Sequence, residues 1–371
     1  MQNHAPANQA AEILVAPTWE CNLRCKYCFV KNNKIEKDEG MMTPELAVRV
    51  IDSLNEGLSS VSSICVHFYG GEPFINLPAI KAMVDRAVEL KTGRFCFVAT
   101  TNGTVLSDEL LEVIEKGKVV LSVSIDGPEA VHDECRKKAN GTPTHADVVR
   151  FIETVRAKTS CHVMGASVIR SGWTLRQAVD YLRTLPIRDI KAQAIRSQKG
   201  EPYALTDEER EIYKKDLEYV GQLVIQDLEA GRLPMDGRFS SRVLQVLANT
   251  SRDSFCGAGL YNFGITPNGK VYPCILINNS ESLLGNVTDD PKVWVEAGKQ
   301  WVQRVTRVHK PECQSCSSFK LCGGGCPVVS SVCGEEECDL VHKNCDVTMQ
   351  IYNHFKETDN LEALLGLIGV F

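Results

Sequence analysis

The segment that decides the fold reads Pro17-Thr18-Trp19-Glu20-Cys21-Asn22-Leu23-Arg24-Cys25-Lys26-Tyr27-Cys28-Phe29, with three cysteines in the spacing C-x3-C-x2-C. A cubane [4Fe–4S] cluster has four irons and is normally held by four thiolates. A loop that offers three thiolates leaves one iron open to a small molecule. Zinc is the weaker interpretation, because zinc sites favour C-x2-C pairs with a fourth ligand nearby, and the next candidates after this loop are Cys65 and His67.

The composition is that of a globular protein with an excess of cysteine. The chain has 371 residues, 43% hydrophobic and 24% charged, and its net charge of −6 argues against general nucleic-acid binding. Nine of its 16 cysteines lie between Cys256 and Cys345, which favours metal or cluster ligation over disulfides. The sequence has no secretory signal and no apolar run long enough for a bilayer. We therefore expect a cytoplasmic protein that binds neither nucleic acid nor membrane.

Short β-rich runs alternate with helical patterns in the first half of the chain. The predicted strands cover residues 13–16, 64–69, 95–100, 119–125, 162–169 and 190–195. The predicted helices cover residues 44–58, 77–90, 107–116, 145–158 and 174–185, the first with Thr43 as N-cap and Pro44 at its first position. This order predicts an α/β fold, a partial (β/α)6 barrel with its chemistry at the C-terminal ends of parallel strands. The cysteine loop follows the first strand, at such an end.

The second half of the chain has a different pattern. Residues 206–231 form one predicted charged helix, with Thr206 and Glu209 as a capping box, and we expect it to bridge two domains. A hairpin turn is predicted at Pro267-Asn268-Gly269-Lys270. Further helices are predicted over residues 291–308 and 346–367. The expected organisation is a barrel at 11–200, a helical bridge at 201–250, a small cysteine-rich α+β domain at 251–350 and a C-terminal helix or tail at 351–371.

The cysteine loop resembles that of the radical S-adenosylmethionine (SAM) enzymes, including the aromatic Tyr27. Three later segments add to the resemblance: Gly70-Gly71-Glu72-Pro73, Thr101-Asn102-Gly103 and Ser122-Val123-Ser124-Ile125-Asp126-Gly127-Pro128. The resemblance implies that Cys21, Cys25 and Cys28 hold a [4Fe–4S] cluster whose open iron binds the amino and carboxylate groups of SAM. One electron from that cluster would cleave SAM and yield a 5′-deoxyadenosyl radical.

The same resemblance implies a set of SAM contacts. In that family the GGEP motif holds the SAM amino group, and Glu72 can accept a charge-assisted hydrogen bond from an ammonium. Paired glycines allow the backbone to approach a ligand closely. Asp126 is as consistent with capping a turn as with binding SAM, and Arg170 is as consistent with solvation as with binding a carboxylate. The candidate SAM-binding residues are Tyr27, Gly70, Gly71, Glu72, Pro73, Asn102, Ser122, Ser124, Asp126 and Arg170.

The C-terminal cysteines resemble the SPASM extension of radical SAM enzymes, which holds two auxiliary [4Fe–4S] clusters. The resemblance implies three [4Fe–4S] clusters in all, with auxiliary cluster II on Cys313, Cys316, Cys322 and Cys345. It places auxiliary cluster I on Cys256, Cys274 and Cys326, with its fourth ligand unassigned. Cys333 and Cys338 are also unassigned, and either is an alternative to Cys345 or to the missing ligand. A zinc ribbon would explain only the first two cysteines of cluster II.

Enzymes with this extension mostly modify peptides or proteins, by crosslinks, thioethers or oxidations. Formylglycine-forming relatives have an Asp after the equivalent of Cys274 as base, whereas this chain has Ile275, so we expect another product. The catalytic base is not identified. The alternatives are a radical SAM enzyme acting on a small molecule or cofactor precursor, and a non-catalytic iron–sulfur or zinc protein. The expected partners are a peptide or protein substrate, a separate leader-binding protein, and an electron donor such as flavodoxin or ferredoxin.

Overall fold

The computed structural model describes residues 10–32, 40–251, 255–305, 311–326, 328 and 336–369. The chain divides into two compact units. Unit 1 comprises Met1–Ser124, Cys135–Val163 and Gly257–Val305, and unit 2 comprises Ile125–Glu134, Met164–Cys256 and Thr306–Phe371.

The strands and helices alternate along the first half, as the sequence predicts. In chain order, strands β1 to β9 are Ala10–Val15, Ser63–Phe68, Phe95–Thr101, Val120–Ser124, Val163–Ile169, Asp189–Ala194, Asn262–Ile265, Lys270–Tyr272 and Gly285–Asn286. Helices α1 to α13 are Phe29–Asn32, Pro44–Gly57, Leu77–Glu89, Asp108–Gly117, Glu129–Cys135, His145–Lys158, Leu175–Leu182, Asp207–Glu229, Ser240–Leu247, Pro291–Val305, Pro311–Gln314, Phe319–Cys322 and Glu336–Glu357. Short 3-10 helices cover Pro73–Asn76, Ser280–Ser282 and Leu361–Gly369.

Unit 1 is organised around the parallel strands β1 to β4. β1 pairs with β2, β2 with β3 and β3 with β4, all parallel, so their C-terminal ends share one edge. Apolar side chains such as Ile13, Val66 and Leu121 are fully buried on these strands. Helix α2 begins as predicted, because Thr43 accepts a hydrogen bond from the backbone of Leu46 and proline occupies the first turn.

The free edge of β1 is covered by strands from the cysteine-rich half of the chain. β7 pairs parallel with β1, and β8 and β9 extend the sheet in antiparallel order. The turn between β7 and β8 confirms the predicted hairpin, with Gly269 at φ +76°. The pairing of β7 with β1 was not predicted, since local periodicity does not encode the partner of a strand so distant in the chain.

Unit 2 contains the parallel pair β5 and β6 and a group of helices. The predicted capping box starts helix α8, where Thr206 accepts from the backbone of Glu209 and the Glu209 carboxylate accepts from the backbone of Thr206. α8 packs closely on α13, because a Cβ on Gly221 would lie 2.5 Å from Cγ1 of Val347. This packing makes α8 part of the core of unit 2.

The predicted terminal helix over residues 346–367 is wrong in its limits. α13 begins at Glu336 and ends at Glu357, and a 3-10 helix follows over Leu361–Gly369. The α-helix stops because Asp359 adopts φ +53°, a left-handed conformation that cannot continue it. The helix predicted over 291–308 is confirmed to Val305, and its last three positions lie outside the described residues.

Among the described residues, no helix combines the length and the apolar character that crossing a membrane requires.

Glu209 is the residue through which we test the local stability of unit 2. Its carboxylate also accepts from Oγ of Ser171 (2.9 Å) and the backbone N of Gly172 (2.8 Å). Burial raises the pKa of Glu209, but these hydrogen bonds outweigh it and hold the pKa below its usual value. Glu209→Ala should lower the free energy of unfolding by about 1–2 kcal/mol at pH 7 in urea titrations. Because the folded pKa is depressed, this contribution is complete above the unfolded pKa and is lost as the pH falls through the folded one.

The matched control is Glu208→Ala, an exposed residue of the same helix turn. An equal loss of stability in both variants, or a loss that persists at acid pH, would contradict the role of Glu209.

Candidate active site

The three-cysteine loop lies between β1 and α1, at the C-terminal edge of the unit 1 sheet. Cys21, Cys25 and Cys28 are all half-buried, and none of the three forms a disulfide. The backbone N–H of Leu23 donates to Sγ of Cys21 and that of Lys31 to Sγ of Cys28, each at 3.4 Å. Such donors stabilise sulfur carrying negative charge. The loop therefore presents three accessible thiols with backbone donors aimed at two of them.

The other side of the loop is fixed by the segment after α5. The backbone N–H groups of Arg24 and Lys26 donate to the carbonyls of Lys137 and Cys135, at 2.8 and 3.1 Å. The guanidinium of Arg136 lies 5.3 Å from the centre of the Tyr27 ring, a cation–π distance. Arg136 thus contacts the ring of Tyr27, which the sequence analysis predicted as a SAM contact.

The paired glycines after β2 contact the cysteine loop. A Cβ on Gly70 would lie 2.6 Å from the carbonyl oxygen of Thr18, and one on Gly71 only 2.0 Å from that of Glu20. The backbone N–H of Gly71 donates to Thr18 and that of Glu72 to Glu20. The sequence analysis attributed the glycines to the approach of a ligand, whereas the structure shows that they admit the backbone of the cysteine loop.

Glu72 is buried to 1% exposure and joins the ends of β2 and β3. Its Oε1 accepts from Oγ1 of Thr101 (2.8 Å) and the backbone N of Phe74 (3.2 Å), and Oε2 accepts from the backbone N of Asn102 (2.7 Å). Burial raises its pKa to about 7, and these three donors oppose that shift. Pro73 follows at the start of a 3-10 helix, buried beside the carboxylate. Oε2, with one donor, retains a lone pair for a further hydrogen bond.

Asn102 links this carboxylate to the cysteine loop. Its Nδ2 donates to Oδ1 of Asn22 at 2.9 Å and lies 3.8 Å from Sγ of Cys21. Oγ1 of Thr104 donates to Oδ1 of Asn102 and accepts from Nδ2 of Asn22. The sequence analysis did not identify Asn22 or Thr104 as site residues, although Asn22 directly follows Cys21 and Thr104 directly follows Gly103.

The remaining candidate SAM contacts lie in both units. Ser122 and Ser124 are buried on β4 in unit 1. In unit 2, Oδ1 of Asp126 accepts from the backbone N of Val168, on strand β5, at 3.3 Å, a contact that differs from the turn cap considered from the sequence. Arg170 is also buried in unit 2, where its guanidinium bonds Oε2 of Glu134 at 2.7 Å. The solvated alternative for Arg170 is therefore wrong, because its side chain is buried and its guanidinium is paired with the carboxylate of Glu134.

Three predicted ligands of auxiliary cluster II lie near one another in unit 2. Cys322 and Cys345 each interact electrostatically with Cys316 and with Arg242. Burial raises the pKa of Cys345, on α13, to about 11, and Arg242 opposes the rise. Sγ of Cys316 also lies 3.2 Å from Nε2 of His342, a residue that the sequence analysis did not consider. Cys313, the fourth predicted ligand, is half-buried nearby in sequence on α11.

The other C-terminal cysteines fall in both units. Cys256 and Cys326 belong to unit 2 and Cys274 to unit 1. Cys338 is exposed on α13, and Cys333 lies outside the described residues.

The donor set fits iron–sulfur clusters better than single ions. Within the described ranges, no three Cys, His, Asp or Glu side chains are close enough to hold one metal ion. A cubane separates its thiolate ligands across its corners, so half-buried thiols on a loop suit it without converging on a point. The front loop would supply three such ligands, and the group around Arg242 would supply the thiols of a second site.

Comparison with known families matches both parts of the chain. Residues 15–185 match the radical SAM superfamily, and residues 256–317 match SPASM, an iron-sulfur cluster-binding domain. The first match spans the last residue of β1, the cysteine loop and strands β2 to β5, and the second spans Cys256 to Cys316. These matches confirm the predicted α/β fold class and the predicted cofactors, [4Fe–4S] clusters and SAM.

Similar proteins cover most of the chain. A cysteine-type anaerobic sulfatase-maturating enzyme of Clostridium perfringens is 28% identical over 334 residues, 82% of this chain and 85% of the relative. A serine-type anaerobic sulfatase-maturating enzyme of Bacteroides thetaiotaomicron is 25% identical, over 87% of this chain and 84% of the relative. The structure of anSMEcpe with bound S-adenosylmethionine has a TM-score of 0.76 at 21% identity and covers 93% of this chain and 99% of that chain, which shows a shared fold.

The three-thiol loop and the glycine turn packed on it therefore lie within the radical SAM match, and the SPASM match contains Cys256, Cys274, Cys313 and Cys316 and ends before Cys322. This chain is a radical SAM enzyme of the SPASM-domain subfamily.

Proposed function

We propose that this enzyme modifies a side chain of a peptide or protein, through a crosslink, a thioether or an oxidation. The observation that carries the proposal is the similarity, over 82% of the chain, to an enzyme named for the maturation of sulfatases. Two structures with similar folds were solved with peptides: anSMEcpe with the Cp18Cys peptide, and SuiB of Streptococcus suis with its precursor peptide SuiA. A peptide is thus the substrate class that relatives of this fold accept.

Cys21, Cys25 and Cys28 are proposed to hold the first cluster, with SAM on its open iron. When both are bound, the cluster and SAM would supply a 5′-deoxyadenosyl radical able to abstract hydrogen from an unactivated carbon. The chain's own contribution is positional: the Gly70-Gly71 turn and Asn102 fix the loop from one side, and the segment Cys135–Lys137 fixes it from the other. A loop held this way keeps the reacting atoms in one geometry, which is the protein's main role when a cofactor performs the hard step.

Glu72 is proposed to orient the SAM amino group with the lone pair left on Oε2. Its other acceptor positions are used by Phe74, Thr101 and Asn102, which hold the carboxylate in a single orientation. The buried carboxylate lost its hydration when the chain folded. An ammonium group at this position would offset part of that cost. The same carboxylate therefore serves the fold and the ligand.

We propose that two sets of C-terminal cysteines would hold auxiliary clusters, which would supply an electron acceptor for the oxidation of a substrate radical. Cys316, Cys322 and Cys345, grouped around Arg242, support a site for cluster II with Cys313. The proposed assignment of cluster I to Cys256, Cys274 and Cys326 rests on the SPASM resemblance. An external donor such as flavodoxin or ferredoxin would reduce the first cluster.

We propose that the product is not formylglycine, because the Asp that serves as base after the equivalent of Cys274 is absent from this chain. Ile275 occupies that position, fully buried in a cluster with Ala16, Trp19 and Val30. A carboxylate could not be accommodated there without burying an unpaired charge. The base, if the product needs one, must come from elsewhere.

The substrate class is tested by incubating reduced, reconstituted enzyme and SAM with a peptide that spans the maturation site of a sulfatase. We expect 5′-deoxyadenosine to form several-fold faster with the peptide than without it, and the peptide mass to change. A scrambled peptide of the same composition is the control. Turnover that no peptide raises above background would favour the small-molecule alternative.

The front cysteines are tested by replacement. Cys21→Ala, Cys25→Ala and Cys28→Ala should each abolish 5′-deoxyadenosine formation, because the cluster that binds SAM is lost. Iron should fall from about 12 to about 8 per chain, since the two auxiliary cubanes stay in place. Cys161→Ala, a buried thiol outside every proposed site, should leave both quantities unchanged. About 4 Fe in the wild-type enzyme would remove the three-cluster proposal.

Glu72 is tested by Glu72→Gln. The amide nitrogen would face a backbone or hydroxyl donor, so SAM affinity measured by equilibrium dialysis should fall about tenfold or more, at a cost of about 1–3 kcal/mol. In the wild type, affinity should rise as the pH passes about 7, because the carboxyl with its raised pKa ionises there. The variant should lack that rise.

Glu112→Gln, on the exposed face of α4, is the matched control and should keep both the affinity and its pH dependence. Unchanged SAM binding in Glu72→Gln would contradict the proposed role.

A further inference from the structure

Two cysteines outside every proposed cluster site lie side by side in the unit 1 sheet. Cys65 on β2 and Cys96 on β3 are register partners in the parallel pairing of these strands, and neither forms a disulfide. Neighbouring strands lie about 4.7–4.9 Å apart, and the Cα atoms of disulfide-bonded cysteines are usually about 4.4–6.8 Å apart. The sheet therefore already holds the two residues at a separation that a disulfide can span.

Both thiols lie on the same face of the sheet, and one of them is accessible. Side chains alternate between the two faces along each strand. On β2 the half-buried Cys65 lies between Ile64 and Val66, which are fully buried on the other face. On β3 the exposed Cys96 is followed by the buried Phe97. The thiol of Cys65 donates a hydrogen bond to Sγ of Cys96, so the two sulfur atoms are in contact.

This contact makes the two thiols chemically different. The hydrogen bond from Cys65 lowers the pKa of Cys96 against the opposing effect of burial, and Oγ of Ser63, 3.8 Å from Sγ of Cys96, lowers it further. The same hydrogen bond, together with burial, raises the pKa of Cys65. The thiolate is the nucleophile in disulfide exchange. Cys96 is thus suited to attack first, and Cys65 to attack second.

The surroundings of the pair favour thiol chemistry over metal or cluster binding. The carboxylate of Glu12 acts electrostatically on both thiols and contacts the ring of His67. Within the described parts of the chain, however, no three Cys, His, Asp or Glu side chains are close enough to hold one ion. Cys65 also lies three residues before the end of β2, about 10 Å along the strand from the edge that contacts the cysteine loop.

We propose that Cys65 and Cys96 form a thiol–disulfide exchange site that low-molecular-weight disulfides oxidise reversibly. The Cys96 thiolate attacks one sulfur of the small disulfide, breaks its S–S bond and releases one small thiolate. That thiolate takes the proton of the Cys65 thiol, and Cys65 then attacks Sγ of Cys96 and displaces the second small thiolate. The two cysteines lose two electrons, and the small disulfide gains both. Excess small thiol reverses both steps, as is usual for protein disulfides in reducing compartments.

The experiment treats the anaerobic, reconstituted holoenzyme with bis(2-hydroxyethyl) disulfide, blocks the remaining thiols with N-ethylmaleimide and maps tryptic peptides by mass without reduction. Trypsin leaves Cys65 in the peptide 50–81 and Cys96 in the peptide 95–116, each with a single cysteine. We expect these two peptides joined, with two hydrogen atoms fewer than the separate pair. The joined peptide should be at least tenfold more abundant than any other cysteine–cysteine link, and dithiothreitol should remove it.

Single replacements test the order of the two attacks. Cys65→Ser should accumulate a mixed disulfide with 2-mercaptoethanol on Cys96, because the thiol that would displace the small thiolate is gone. Cys96→Ser should form no link, and its Cys65 should acquire the adduct at least tenfold more slowly. Cys161→Ser, which removes a buried thiol outside this pair, is the matched control and should link Cys65 to Cys96 as the wild type does.

Several results would overturn the proposal. Absence of the joined peptide would do so, as would small-molecule adducts that remain on both cysteines of the wild type. A joined peptide that appears only as iron is lost would show that it forms in damaged protein. Equal rates of adduct formation in Cys65→Ser and Cys96→Ser, or a changed yield in Cys161→Ser, would contradict the assigned attack by Cys96.

Discussion

The site depends on the close contact between two stretches of backbone, the cysteine loop and the glycine turn after β2. Gly71 has no room for a Cβ, since that atom would lie 2.0 Å from the carbonyl oxygen of Glu20. Two backbone hydrogen bonds cross the contact, and Glu72 then extends it to β3 through Asn102, whose side chain returns to Asn22 and Cys21. The three thiols are therefore positioned by hydrogen bonds to the ends of two adjacent parallel strands, β2 and β3, rather than by the loop alone.

This arrangement explains why much of the fold could be predicted and why part of it could not. The six alternating strands follow from short apolar runs between helices, and Thr43 and Thr206 mark helix starts by local chemistry that the structure confirms. The pairing of β7 with β1, by contrast, depends on an exposed sheet edge that only the folded barrel creates. The C-terminal limit of α13 was wrong because it depends on the conformation of Asp359, which its residue type does not specify.

Residue identities were easier to predict than their reasons. The motif residues Glu72 and Asn102 were found from sequence, yet the contacts that define them, to Thr101, Asn22 and Thr104, join segments far apart in the chain. The glycines were assigned to a ligand, and the structure places the loop backbone there. Asp126 and Arg170 make protein contacts that are sufficient to explain their burial. A residue shared by fold and ligand has the same sequence signature for both roles, so only geometry separates them.

In the proposed function, the residues that would start the chemistry are separate from the position that would influence its product. The loop, the glycine turn and Asn102 form one hydrogen-bonded assembly, and any radical SAM substrate can use it. The position after Cys274, where the family resemblance implies a carboxylate base in formylglycine-forming members, is instead Ile275, which packs with Trp19 and Val30. An overall similarity to sulfatase-maturating enzymes is therefore compatible with a different final step, since a fold can keep its initiating site while the residues around the substrate change.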